Sequence, residues 1–175
     1  AEGEPSLIQS SKNHEDKVFR VHVVSNGDPL EIFTTRDGEV IFKKYSLIGG
    51  LEDFAAQFCD TLARSSEFTA VITDRDSVIA TAGPDKRDLI GRPLTSEMEQ
   101  LMDGRSIYQR SRGDAALPVC QGNDHLIAAT AAPILCQGDV LGLVLFAAGE
   151  GQYPDESEYK LAQTVSSFLG KHMES

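Results

Sequence analysis

The side chains that could do chemistry in this sequence are three cysteines, four histidines and a few polar residues set within apolar segments. The cysteines form no Cys-x-x-Cys pair, and no histidine stands at zinc-ligand spacing from a cysteine. Three thiols cannot all pair within one chain, which is typical of a reducing compartment. We therefore expect packing thiols and surface imidazoles, with no metal site and no cofactor. The residues are Cys59, Cys120, Cys136, His14, His22, His125 and His172.

No segment matches a common catalytic motif, such as a nucleophile elbow, a zinc-protease helix, a phosphate loop or a dinucleotide fingerprint. Asp74 and Asp76 flank Arg75 and could form a carboxylate pair, but acidic residues in a short polar connection more often shape a turn. His125 could serve as a base, yet the sequence places no nucleophile beside it. The sequence therefore predicts no catalytic residue, and an enzyme is the weakest alternative.

The formal net charge of −11 is spread unevenly along the chain. Residues 1–50 carry 6 Lys and Arg against 8 Asp and Glu, whereas residues 51–175 carry 10 against 19. A nucleic-acid-binding surface needs basic side chains that displace counterions from phosphate. Any DNA contact is therefore expected from the first 50 residues. No apolar run reaches the roughly 18 residues of a membrane span, so we expect a cytoplasmic protein with no membrane partner.

The first part of the chain is predicted to be a flexible polar segment, residues 1–17, followed by a small β-module, residues 18–48. Val18–Val24 alternates apolar and polar residues, which is typical of a half-buried strand.

Two further strands are predicted at Leu30–Thr35 and Glu39–Lys44. An Asp37-Gly38 pair between β-rich runs favours a two-residue hairpin loop, which would set Phe33 opposite Phe42. An isolated hairpin is marginal in water, so this one must pack on another element.

From residue 49 to 175 the periodicity predicts one α+β domain. A helical apolar stripe begins at Leu51, and a second runs from Leu161 to Met173 in a helix capped by Asp155. Between them the pattern predicts two strands, a short helix capped by Thr95 and four more strands. The two most apolar strands, Leu126–Cys136 and Val140–Ala148, are expected to be the central pair. This order predicts an antiparallel sheet flanked by helices.

The sequence resembles a known family in both parts. Residues 27–46, GDPLEIFTTRDGEVIFKKYS, are similar to the second half of an AbrB-type swapped-hairpin DNA-binding domain. The continuation resembles the GAF-like sensor domain of the stage V sporulation protein T family, in the segments FAAQFCDTL, AVITDRDSVIA, TAAPILCQGDVLGLVLF and FLGKHMES. The resemblance covers residue 27 to the end, with two unrelated modules in the family's order.

This resemblance implies a sporulation transcription regulator without enzymatic activity, whose paired AbrB-type halves bind DNA and whose GAF-like domains sense an unknown small molecule. The family's basic first half is not recognisable here, because residues 1–26 contain only Lys12, Lys17 and Arg20 as Lys or Arg. The DNA-binding residues are therefore unknown. A GAF-like sensor and oligomerisation module that does not bind DNA is the alternative.

In GAF-like folds the ligand lies between the sheet and the loops over one face, so polar residues on apolar strands are candidates to bind it. Thr130 lies within an apolar strand, and Tyr108 and Arg110 lie where a strand leaves the core. Arg110 could bind a carboxylate or phosphate through paired donors, and Asp74 is a lesser candidate. Alternatively, the Thr130 hydroxyl bonds a neighbouring carbonyl and Arg110 is solvated.

The flanking helices are expected to join copies of the chain into a homodimer or tetramer, as the family resemblance also implies. The stripe along the last helix is wider than one contact with a sheet requires. Alternatively, both helices simply close the chain's own core. The predicted interface residues are Leu51, Phe54, Phe58, Leu62, Leu161, Val165, Phe168 and His172.

Overall fold

The computed structural model describes residues 52–174 and, before them, the backbone of four short strands, and it divides into compact units at 1–46 and 47–175. In the first unit, β1 (Ile8–Gln9) pairs antiparallel with β2 (Phe19–Arg20). The rest of the predicted polar segment and of the predicted strand Val18–Val24 lies outside the described residues.

The second ladder of the first unit joins β3 (Leu30–Thr34) and β4 (Val40–Lys44). Its register sets Phe33 opposite Ile41 and Ile32 opposite Phe42. The predicted pairing of Phe33 with Phe42 is therefore wrong by one residue. The physical reason is that a two-residue loop at Asp37-Gly38 requires Phe33 opposite Phe42, whereas the observed register closes the ladder at Thr34 and Val40. The connection itself lies outside the described residues.

The second unit contains the predicted order of elements, α-β-β-α-β-β-β-β-α. Its helices are α1 (Glu52–Arg64), α2 (Ser96–Gly104) and α3 (Glu156–His172). Its strands are β5 (Thr69–Thr73), β6 (Val78–Ala82), β7 (Tyr108–Gln109), β8 (Pro118–Cys120), β9 (Asn123–Cys136) and β10 (Asp139–Ala148). The predicted α+β class is confirmed.

The six strands form one antiparallel sheet in the order β6-β5-β10-β9-β7, with β8 also paired to β9. The two most apolar strands, β9 and β10, lie side by side within it, as predicted. They are joined at Gln137 and Gly138, which both have positive φ (49° and 87°), the geometry that a tight hairpin turn requires.

The sheet has two covered faces with different layers. On one, here called the helix face, α1 and α3 bury Cys59, Leu62 and Leu169 against strand residues that include Phe146. On the other, the α2 face, Met98 and Met102 of α2 and several loop residues cover the sheet. The domain is therefore a three-layer structure with a core on each side of the sheet.

Local signals fix where the two later helices begin. The Thr95 side chain accepts a hydrogen bond from the Met98 amide, and Asp155 and Glu158 form a reciprocal capping box at the start of α3. Both caps were predicted. Near its end α3 approaches β9 so closely that a Cβ on Gly170 would collide with the Leu135 carbonyl oxygen. Glycine at this position therefore lets the helix rest on the sheet.

Candidate ligand site at the sheet edge

Four polar side-chain atoms are buried without a hydrogen-bond partner among the residues that the structure describes. They are Thr81 Oγ1, Tyr108 Oη, Arg110 Nε and Thr130 Oγ1. A buried donor without a partner carries a cost of about 1–3 kcal/mol, so such atoms are rare and mark sites worth explaining. Three of the four belong to the residues that the sequence singled out as ligand candidates.

The register separates Thr130 from Tyr108. Thr130 stands opposite Phe146, whose side chain packs on the helix face, whereas Tyr108 stands opposite Ala131, which packs on the α2 face. Directly opposed residues in an antiparallel ladder point to the same side of the sheet. The two predicted ligand residues therefore lie on opposite faces and cannot line one pocket.

Arg110 follows the edge strand β7 and is only 4% exposed. Its backbone amide donates to the Ala129 carbonyl at 2.8 Å, which extends the pairing with β9. Its Nη1 donates to the Glu150 carbonyl at 2.8 Å, whereas Nε has no partner among the described residues. The alternative that Arg110 is solvated is therefore wrong, because the side chain is buried with a donor left over.

The ring of Tyr153 covers this guanidinium. Arg110 Cζ lies 5.0 Å from the ring centroid and Arg112 Cζ lies 5.7 Å from it, so two cations flank one aromatic side chain. Arg110 is a buried cation that has no ion-pair partner among the described residues.

Tyr108 belongs to β7, and Arg110 follows that strand directly. Burial raises the pKa of the Tyr108 hydroxyl, the negative charge of Asp114 raises it further, and Arg110 opposes both. Asp114 is held in place by the Ser111 amide, which donates to its Oδ2 at 2.7 Å. Tyr108 therefore remains a neutral hydroxyl that can donate a hydrogen bond.

The same short edge connects directly to α3. The side chain of Gln109 donates from Nε2 to the Asp155 carbonyl at 2.9 Å, and Arg110 donates to the Glu150 carbonyl. Residues 149–155, here called the α3 linker, join β10 to α3. Two neighbouring side chains of the edge thus hold the linker near its beginning and at the N-cap of the helix.

Asp74 has a local role in the connection between β5 and β6. Its Oδ1 accepts hydrogen bonds from the backbone amides of Asp76 and Ser77, each at 2.8 Å. This is a side-chain turn of the kind that aspartate commonly forms. Asp74 follows β5, which is separated from β7 by two strands, so the structure does not bring it to Arg110.

The predicted interface residues divide into buried and outward-facing groups. Leu62 and Val165 are buried against the chain's own sheet, which removes them from the surface open to a second copy. Phe54 and Phe168 are about half exposed, at 50% and 52%. The reason for the division is that each helical stripe is wide enough to cover the sheet with one flank and reach solvent with the other. Leu51 lies outside the described residues.

The outward flank of the two helices forms an aromatic cluster. Ring centroids are 5.4 Å apart for Phe58 and Phe168, 5.7 Å for Phe54 and His172, and 6.0 Å for Phe168 and His172. Leu161 and Phe58 are half-buried beside the core. These contacts tie α1 to α3 across the surface.

The cysteines are placed as packing residues where the sequence predicted them. Cys59 and Cys120 are buried, and burial raises the pKa of Cys59 to about 12 and that of Cys120 above its ordinary value. Cys136 is partly exposed. Within residues 52–174 and the four described strands, no group of three or more potential metal ligands is found, and no helix is long and apolar enough to cross a membrane.

Sequence reasoning missed Gln109, Tyr153 and the Glu150 carbonyl. Gln109 stands next to two predicted residues, but its role depends on where the α3 linker passes. Tyr153 lies in a glycine-containing connection, and an aromatic residue in such a segment is the one signal that could have drawn attention to it.

Comparison with known proteins gives a consistent family. Residues 50–174 match the family described as "Stage V sporulation protein T C-terminal, transcription factor". Stage V sporulation protein T of Bacillus subtilis is 38% identical over 158 residues, which is 90% of this chain and 88% of that protein.

Two solved structures share the fold at low sequence identity. The GAF domain of an Acinetobacter phosphoenolpyruvate-protein phosphotransferase aligns with a TM-score of 0.54 at 13% identity, over 75% of this chain and 84% of that one. A type II free methionine-R-sulfoxide reductase from Thermoplasma acidophilum aligns with a TM-score of 0.52 at 10% identity, over 70% and 94%. These likenesses show a GAF-like fold and carry no information on activity. On the family match and the 38% identity, the chain belongs to the stage V sporulation protein T family of transcription factors.

Proposed function

We propose that this protein is a cytoplasmic transcription regulator whose GAF-like unit binds a small molecule at the β7 edge and transmits its presence to α3. The observation that carries the proposal is the buried guanidinium of Arg110, which has one donor unused and no anionic partner among the described residues. Burying a cation is costly unless it is paired and hydrogen-bonded. A buried guanidinium with an unused hydrogen-bond donor is typical of a ligand-binding site rather than of a packed core.

The route from the ligand to the helix is short. Arg110 and Gln109 bind the α3 linker, and α3 carries half of the exposed aromatic cluster. A ligand that engages Arg110 differently in two arrangements of the linker shifts the population between them. The position of α3 on the surface therefore becomes dependent on the ligand.

The partner of the aromatic cluster is a second copy of the chain. Phe54 and Phe168 present large apolar rings to solvent on two adjacent helices, and exposed apolar patches of this kind mark association sites. A self-associating helix pair would bring two first units into one assembly, as an AbrB-type DNA-binding module requires. Homodimer and tetramer are both compatible with this surface.

Absence of catalysis is part of the proposal. The thiols of Cys59 and Cys120 have raised pKa values and stay protonated near neutral pH, which makes them poor nucleophiles. Asp74, one of the two acidic residues considered as a carboxylate pair, accepts two backbone hydrogen bonds within its own turn.

DNA binding by the first unit is tested by a gel-shift titration of the full chain on a random-sequence duplex pool between about 50 and about 200 mM salt. A regulator binds DNA with an affinity that falls steeply with salt, because phosphate contacts release counterions. No binding at the lowest salt would instead support the second candidate, a sensor and oligomerisation module without DNA contacts. The observation that favours this candidate is the small number of basic residues before Gly27.

A further inference from the structure

We propose that the ligand of the β7 edge is a small monoanionic carboxylate, bound side-on by the Nε–Nη2 edge of Arg110 with the Tyr108 hydroxyl as a second donor. The inference rests on the proposed sensor function and specifies its chemistry. It follows from which donors of Arg110 are used and which charged and apolar groups surround them.

The geometry of the guanidinium selects the type of anion. Nη1 donates to the Glu150 carbonyl, and Nε has no partner among the described residues. Nε and Nη2 are the two parallel donors on the other edge of the guanidinium. A planar carboxylate accepts two parallel N–H bonds from such an edge, and this bidentate pairing is among the strongest hydrogen-bonded contacts in proteins. Arg110 is 4% exposed, so a bound carboxylate would be shielded from competing water.

The surrounding charge favours one negative charge over two. Asp114 is close enough to Tyr108 to raise its pKa through its own charge, and Glu150 follows β10 beside the same site. Residues 51–175 carry 10 Lys and Arg against 19 Asp and Glu. A phosphate dianion would meet this negative field twice as strongly as a carboxylate, with a single buried cation to compensate.

The apolar surroundings of Tyr108 favour a ligand with a small apolar body. Tyr108 stands opposite Ala131 and packs against the apolar cluster of the α2 face, in which Ala128 and Ala131 are fully buried. A carboxylate with a short aliphatic chain suits such surroundings, with its charged end at the sheet edge.

The direct test is the arginine Nε–H resonance of Arg110 in a ¹⁵N-labelled full chain. Isobutyrate is the probe, isobutyramide is its neutral match, and inorganic phosphate reports on the alternative oxyanion. We expect isobutyrate to shift the Arg110 Nε–H signal downfield in a saturable way, while the amide and phosphate leave it unchanged. An equal shift with isobutyramide or phosphate would overturn the carboxylate assignment.

Variants separate binding from folding. Arg110→Gln and Arg110→Lys should each weaken isobutyrate binding at least about tenfold by calorimetry, since neither offers the side-on fork. Arg87→Gln is the matched control, because it removes the same charge at an exposed position outside the site. Affinity should survive in Arg87→Gln, and a loss there equal to that in Arg110→Lys overturns the site. Absence of isobutyrate binding by the wild type also overturns it.

The proposed function can fail separately. If isobutyrate binds through Arg110 but leaves the association of the chain unchanged, the ligand assignment stands and the route to α3 is lost. If association responds to a ligand that binds equally well to Arg110→Gln, the route stands and this inference fails.

Discussion

Each face of the sheet contains a buried hydroxyl group without a hydrogen-bond partner among the described residues, but the two hydroxyls have different surroundings. Thr130 on the helix face and Tyr108 on the α2 face each bury a hydroxyl without a partner among the described residues. Thr130 is sealed beneath the helix layer, with no exposed surface. Tyr108 is close enough to the buried guanidinium of Arg110 for that charge to affect its pKa, and the α3 linker contacts the guanidinium. An unsatisfied group is therefore treated as a candidate site only where a second unsatisfied group and a connecting segment accompany it.

The comparison also separates close packing from a few specific contacts. On the helix face α3 packs closely on β9, as at Gly170, whereas at the sheet edge two consecutive residues, Gln109 and Arg110, contact the α3 linker. The proposed function assigns the signalling role to these edge contacts.

The largest expected effect concerns the outer surface of the helices. Phe168→Glu places a charge at the centre of the aromatic cluster and should weaken self-association at least about 100-fold, which corresponds to ~3 kcal/mol. Analytical ultracentrifugation measures it. Gln163→Glu, an exposed position on the same helix, adds the same charge away from the cluster and should leave association intact. If wild type and Phe168→Glu associate equally strongly, the aromatic cluster is not the self-association interface.

Closing the gap between α3 and β9 should have the next largest effect. Gly170→Ala forces the helix off the Leu135 carbonyl, and overpacking of this kind lowers the free energy of unfolding by about 1–3 kcal/mol. Urea unfolding measures it. Gly149→Ala is the control, because a Cβ there meets no atom within 4 Å. If Gly170→Ala unfolds with the same free energy as the wild type, α3 can shift away from the sheet at little cost and the prediction is wrong.

Removing the buried hydroxyl of Tyr108 or of Thr130 should have a smaller effect on stability but should separate the two faces by ligand binding. Tyr108→Phe and Thr130→Val each remove a buried hydroxyl that has no partner among the described residues, so each should leave the free energy of unfolding unchanged or raise it by about 1 kcal/mol. Binding of isobutyrate should weaken in Tyr108→Phe and persist in Thr130→Val. If Thr130→Val weakens binding as much, the separation of the two faces is wrong.

The smallest effect is a dependence of stability on alkaline pH. The fold raises the pKa of Tyr108 above its ordinary value of 10.0, so the folded state holds this proton more tightly than the unfolded chain. The resulting stability is fully present below pH 10 and is lost as pH rises through the folded-state pKa. Thermal unfolding of wild type and Tyr108→Phe should therefore diverge above about pH 10, with the wild type falling more steeply. Parallel curves would contradict the burial of the hydroxyl.

Local patterns were sufficient for most of the fold. Period changes gave α1 and α3, Thr95 and Asp155 gave the helix starts, and apolar runs gave β9 and β10, because each depends on neighbouring residues. The hairpin register failed because Asp37-Gly38 permits a two-residue loop without requiring it, and a shift of one residue changes every pairing.

The candidate site was only partly predictable. Tyr108 and Arg110 stood out as polar residues leaving an apolar strand, but the sequence could not show that Thr130 faces the other way, since this depends on its pairing with Phe146. The contacts of Gln109 and Arg110 with the α3 linker could not be predicted from the sequence for the same reason. They join segments that are 46 and 40 residues apart along the chain.

Hydrogen–deuterium exchange of the Arg110→Gln full chain tests the link between the edge and α3 most directly. Losing the bond to the Glu150 carbonyl should accelerate exchange in the α3 linker and in the first turn of α3, while α1 and β5 exchange as in the wild type. Arg87→Gln, which removes the same charge at an exposed position outside the linker contacts, should match the wild type throughout. Unchanged exchange in the linker, or a uniform acceleration over the whole unit, would contradict a specific hold of Arg110 on α3.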